Sequence, residues 1–284
     1  MTVLPEQPEW QPVRLAGLAA GEVGPFRCAA EIDAYHQAHY VAPNLVVAAA
    51  GHVEHEQIVE LARRHLAPRG GPTPSNGDQP AVEAARFRFY EKETEQYHIC
   101  FGAPGINRAD DRRYQLAVLD SIFGGSTSSR LFREIREKRG LAYAVGSYSE
   151  QYTDSGLVAT YVGTREDNVK EACAVIGAEI ERLRTEAVSS EELARAKENV
   201  KGRLVLSSES TAARMTRIAR ATLFDLPILS LDEMIERVDA VSVEDLSELA
   251  AELYSSGRMS AACIGRDEDT FRSALDPIGE ALAA

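Results

Sequence analysis

The feature that most constrains this chain is an internal repeat. AEIDAYHQAHYVAPNLVVAAAGHVEHEQIVELA, beginning at Ala30, is echoed by EDLSELAAELYSSGRMSAACIGRDEDTFRSAL, beginning at Glu244. At a constant offset of 214 residues, Ile32 falls on Leu246, Tyr40 on Tyr254, Leu45 on Met259 and Gly51 on Gly265. Each copy reads as a helix, a Tyr, a short turn, a strand, a Gly and an acidic helix start. Period comes before motif, because a repeat that is missed leads to a wrong reading of the whole fold. The second copy starts near Glu83, which puts the start of the first roughly 130 residues before Met1. The expectation is one complete repeat preceded by the tail of another.

PRGGPTPSNGDQP, from Pro68 to Pro80, supports that division, because a run so rich in Pro, Gly, Ser and Asn has little to bury. The expected domains are 1–67, the tail of an incomplete first domain; 68–82, a linker; and 83–284, a complete second domain. In the second, Phe87 with Phe89, and Tyr97, Ile99 and Phe101, alternate as half-buried strands do. DRRYQLAVLDSIF reads as a helix ended by Gly124 and Gly125, and LFREIREK as a short helix stopped by Gly140. LAYAVGSYS and GLVATYVG read as a strand pair turning at Asp154 and Ser155. Val169, Ala172, Cys173, Ile176, Ile180 and Leu183 mark one helical face, and Ser189 with Glu192 a capping box. RMSAACIG closes the series as a strand. The fold class is α+β, with helices packed on a mainly antiparallel sheet.

Composition matters chiefly by exclusion. A net charge of −13 argues against a nucleic-acid surface. No run approaches the ~20 apolar residues of a membrane span. Met1-TVLPEQPEWQP lacks the basic and apolar regions of a secretory leader, which makes the cytoplasm the expected compartment unless a longer N-terminus carries a signal. Cys28, Cys100, Cys173 and Cys263 are widely spaced and read as buried thiols in a reducing compartment.

Candidate chemistry is sparse. His52-Val53-Glu54-His55 superficially suggests a zinc helix, but HxEH is one residue short of the i, i+4 spacing that aims two imidazoles at one ion. His36 and His39, with Glu31, lack a third ligand at a convincing distance. No metal site is therefore expected in this chain. Gly124-Gly125 before a helix could cradle an anion but lacks a phosphate-loop Lys. FGGSTSSRLFREIREKRGLAYAVGSYSEQY brings Arg130, Arg133, Arg136, Lys138 and Arg139 ahead of a strand bearing Tyr143 and Tyr148. Basic side chains late in a helix are favourable without any function.

ETEQYHICFGAPG and LDSIFGGSTSSRLFREIREKRGLAYAVGSY resemble the second domain of the pitrilysin/insulinase metallopeptidases, in the branch that contains mitochondrial processing peptidase. HYVAPNLVVAAAGHVEHEQIVELA resembles the end of that family's first domain, so the likeness runs from about Ala30 to Leu275. It implies duplicated α+β domains around a chamber, with HxxEH and a downstream Glu binding zinc in the first domain. It also implies an Arg and a Tyr seven residues apart in the second domain, holding the substrate backbone; Arg136 and Tyr143 match that pair. Gln96 and His98 fall near the same chamber without an assigned role. HxxEH occurs nowhere in this sequence. The implied protein is the substrate-binding portion of a zinc endopeptidase, inactive alone, with zinc bound only in the complete enzyme. Its partners would be a peptide and either the missing half-domain or an active family subunit, which allows a dimer. The alternative is a non-catalytic subunit lending its Arg and Tyr to an active peptidase.

Overall fold

A computed structural model describes residues 29–66, 70 and 87–279. Cys28 and most of the expected linker lie outside them. The described residues of Met1–Leu45 and Leu66–Ser75 form one compact unit, and those of Val46–His65 and Asn76–Ala284 another.

The first unit carries α1 (Ala29–His39) and a 3₁₀ turn at Ala42–Asn44. Ile32, Tyr35 and Tyr40 all lie exposed.

The second unit holds α2 (His55–His65) and a five-stranded sheet: β1 (Phe87–Glu91), β2 (Tyr97–Pro104), β3 (Ala142–Gln151), β4 (Gly156–Thr164) and β5 (Ser260–Gly265). The strand order is β1-β5-β2-β4-β3, with β1 and β5 parallel and every other pair antiparallel. Alternation sorts the two faces as the sequence suggests. Tyr97, Ile99, Phe101 and Ala103 of β2 and Val158, Thr160, Val162 and Thr164 of β4 are buried. α3 (Arg113–Phe123) and α4 (Val169–Thr185) pack on that face, and α5 (Ser190–Glu209), α6 (Thr211–Leu223), α7 (Leu231–Asp239), α8 (Val243–Leu253) and α9 (Glu268–Arg272) complete the unit. All six residues of the expected α4 face lie in one core with Leu246, Leu249, Leu253 and Phe271. The α+β class and mainly antiparallel sheet therefore stand.

Four expectations need correction. Leu45–Ala50, read as a strand from its echo of β5, is irregular, since no strand of the described residues lies beside it to supply a ladder. LFREIREK is a π-helix over Phe132–Lys138 rather than an ordinary short helix. It closes on Gly140, whose φ of +63° suits a glycine, and Leu141 N–H then donates to Ile135 O at 2.9 Å. The capping box at Ser189 is half formed: Ser189 Oγ accepts from Glu192 N–H, but the Glu192 carboxylate is taken by Arg130. Reciprocal boxes form instead at Ser230/Glu233 and Ser242/Asp245. Finally, Cys173 and Cys263 are buried as expected, whereas Cys100 is half-buried, because β2 turns it away from the helices.

Candidate functional site

The sheet face opposite the helices is open, with Tyr148 of β3 and Ile264 of β5 exposed on it. Across it, Ala144, Gly163, His98 and Ile264 stand side by side on β3, β4, β2 and β5, followed by Gly146, Tyr161, Cys100 and Ala262. β3 is an edge strand, and its pairing with β4 slips between Ala142 and Ala144. Tyr143 is the extra residue in that bulge. A bulge breaks the alternation of side chains and re-aims the one it inserts. Tyr143 is accordingly 77% exposed, between a buried Ala142 and an exposed Ala144.

The π-helix ahead of β3 is anchored by Leu131 and Ile135, both wholly buried. Its basic residues divide by what they meet. Arg130 grips Glu192 through Nε and Nη2 at 2.9 and 2.8 Å, a bidentate pair largely out of water. Burial raises the Glu192 carboxyl, but the hydrogen bonds and charge of Arg130 outweigh it and leave the group below the usual carboxylate range. Lys138 and Arg139 both reach the Glu134 carboxylate, whose pKa falls in response. Arg136 makes no ion pair among the described residues. Its guanidinium lies 4.1 Å from the Tyr143 ring centre and 4.8 Å from that of Phe132. Stacking on the two rings orients a planar fork of donors and leaves its hydrogens unspent on carboxylate. Arg136 and Tyr143 are thus brought together, with a phenol and a guanidinium side by side at the sheet edge.

The glycine pair of FGGSTSSR has another use. A Cβ on Gly124 would stand 2.3 Å from Ser147 N, and one on Gly125 2.5 Å from an Asp120 carboxylate oxygen. Gly124 lets the end of α3 lie flush on β3, where Ser147 Oγ donates to Asp120 at 2.5 Å, and Gly125 lets the chain turn back against Asp120 itself. Burial pushes the Asp120 carboxyl above its ordinary range. The space of the candidate anion cradle is filled by protein.

Known proteins sharpen this picture. The family profile described as "Peptidase M16 inactive domain" matches residues 29–200. This chain belongs to the M16 peptidase family. An uncharacterized zinc protease of Streptomyces coelicolor is 34% identical over 252 residues, covering 86% of this chain and 55% of that protein. The uncharacterized zinc protease YmxG of Bacillus subtilis is 34% identical over 225 residues, covering 78% and 54%. The chain spans about half the length of the curated relatives it matches. Among solved structures, the peptidase M16 inactive domain of Pseudomonas fluorescens superposes with a TM-score of 0.78 at 23% identity, covering 86% of this chain and 59% of that one. A protease from Helicobacter pylori gives 0.75 at 20%, covering 84% and 59%. Both share the fold.

The relatives' names tie the M16 family to zinc, and the described residues do not fit that metal. Among them, no three His, Cys, Asp or Glu side chains stand close enough to share an ion. His52 precedes α2 while His55 sits in its first turn. His36 packs on Tyr40, and His39 Nδ1 lies 3.0 Å from Tyr35 O. No helix of the described residues is long and apolar enough to cross a membrane.

One residue of the open face escaped the sequence reading. Tyr161 Oη lies 2.8 Å from His98 Nδ1, with the two rings near parallel. The signal was present: in GLVATYVG, Val158, Thr160 and Val162 alternate inward, which sends Tyr161 outward onto the face that carries His98.

Proposed function

We propose that this chain is the substrate-holding portion of a zinc-dependent endopeptidase, and that Arg136 and Tyr143 hold the main chain of a bound peptide. The observation that carries this reading is the Arg136–Tyr143 pair: an Arg outside any described ion pair, stacked on a Tyr that a bulge pushes into solvent. A guanidinium offers five N–H donors in a fixed plane, and a phenol adds an O–H. Peptide carbonyl oxygens are the natural acceptors, and donors fixed before the substrate arrives can also steady charge that grows on a carbonyl under attack.

The hydrolytic step itself lies outside this reading of the chain. HxxEH is absent from the sequence, so the zinc and its ligands would come from other polypeptide, either a preceding half-domain or an active family subunit. In the second case the chain is a non-catalytic partner, and the same two residues do the same work.

Binding of a fluorescein-labelled unstructured peptide, followed by anisotropy, tests the proposal. Arg136→Ala is expected to weaken binding about tenfold, the scale of one hydrogen bond to a charged group. Tyr143→Ala should weaken it by a similar factor. Neither should lower the melting temperature by more than a degree or two, because neither side chain is in the core. Unchanged affinity in both variants would overturn the proposal.

A further inference from the structure

The open face also joins a phenol and an imidazole across β2 and β4. Tyr161 Oη sits 2.8 Å from His98 Nδ1, and the ring planes are only 20° apart. Gly163 makes room for it. A Cβ there would stand 2.9 Å from Tyr161 Oη and 3.4 Å from Gln96 Oε1, so a glycine is what lets the phenol lie across β4 toward His98. The histidine's other ring nitrogen has no partner among the described residues.

We propose that His98 is a third group binding the peptide main chain, donating from Nε2–H to a carbonyl oxygen, and that Tyr161 positions it. This rests on the reading of Arg136 and Tyr143 as peptide-holding residues. A neutral imidazole carries one N–H, and the hydrogen bond at one nitrogen decides which. Tyr161 Oη can donate or accept at this distance; positioning by Tyr161 means that it donates to Nδ1, which leaves the proton on Nε2. The imidazole then offers the same kind of group that Arg136 and Tyr143 offer, a donor aimed at an acceptor.

The spacing suits one ligand. His98, Gly163 and Ala144 stand in register across β2, β4 and β3, and Ala144 follows Tyr143 directly. Two strand spacings separate His98 from Ala144, about 10 Å. Three residues of extended chain span about the same distance. A peptide crossing the strands could therefore meet Tyr143 at the sheet edge and His98 farther in. The floor between is Ala144 and Gly163, with the Tyr161 ring lying over the glycine.

The test uses the whole chain, the same labelled peptide, and nitrogen-15 NMR of the imidazoles. His98→Ala and Tyr161→Phe are each expected to weaken binding about fivefold, the scale of one neutral hydrogen bond. Tyr161→Phe keeps the ring over Gly163, so its melting temperature should match wild type. His98→Gln, whose amide can donate, should recover part of the loss. In the wild type His98 should be the Nε2–H tautomer, and Tyr161→Phe should erase that preference, which a merely structural role would not do. Unchanged affinity in His98→Ala and Tyr161→Phe, beside a weakened Arg136→Ala, would overturn this inference alone. An Nδ1–H tautomer in the wild type would also overturn it. Unchanged affinity in Arg136→Ala and Tyr143→Ala would instead remove the reading beneath it.

Discussion

Ile32 and Leu246 hold equivalent places in the two copies of the repeat, yet Ile32 is 59% exposed and Leu246 is wholly buried. Tyr40 and Tyr254 differ in the same way, at 52% and 3%, as do Leu45 and Met259. In the second copy α8 packs on α3 and α4, and β5 lies between β1 and β2. In the first, Leu45–Ala50 has no ladder partner among the described residues, and Val47, Val53, Ile58 and Val59 line an open groove of about 250 Å³. An apolar pattern states which face of an element is to be covered. Whether it is covered, and whether β-prone residues become a strand at all, depends on what lies beside it.

The largest effect should separate the two copies by stability. Leu246→Ala empties a packed site and should cost about 2–5 kcal/mol. Ile32→Ala should stay within about 0.5 kcal/mol, as exposed substitutions do. Urea denaturation of both measures the difference, and equal losses would break the comparison.

Next come the paired glycines. A Cβ on Gly265 would stand 2.4 Å from the Tyr97 ring, and Tyr97 Oη accepts from Asp267 N–H at 3.0 Å. Gly265→Ala should therefore cost about 1–3 kcal/mol through overpacking. A Cβ on Gly51 would only touch Thr211 Cγ2, at 3.8 Å, but φ there is +128°, so Gly51→Ala should act through backbone strain and leave the second copy's packing intact. Amide exchange in β5 and α9 distinguishes them: faster in Gly265→Ala and unchanged in Gly51→Ala.

The smallest perturbation is chemical. Burial pushes the Cys263 thiol up to about 12, and its counterpart in the first copy is Ala49. Alkylation at pH 8, mapped by mass spectrometry, should label an Ala49→Cys variant well before Cys263. Comparable rates would show that the second copy opens as readily as the first.

How far the sequence could be read divides along the same line. Alternation at Tyr97, Ile99 and Phe101 and the helical period from Val169 to Leu183 are local, and both sets of side chains are in the core. Family resemblance likewise brought out Arg136 and Tyr143, which the structure sets in contact. Long-range partnership was not legible. Nothing near Glu192 says that its carboxylate will serve Arg130, 62 residues away, rather than its own helix cap. No local pattern shows that β5 enters between β1 and β2, or that the slip between Ala142 and Ala144 makes Tyr143 the odd residue. Tyr161 sat in plain alternation, but its meaning came only with His98 beside it.

The central claim is that Arg136 and Tyr143 act on a peptide as one unit. A double-mutant cycle on peptide affinity tests it most directly, with Arg136→Ala, Tyr143→Ala and the pair together. If the stacked guanidinium and phenol work as a unit, each single change weakens binding about tenfold and the double change does little more. Losses that simply multiply, or singles that bind as wild type does, would contradict it.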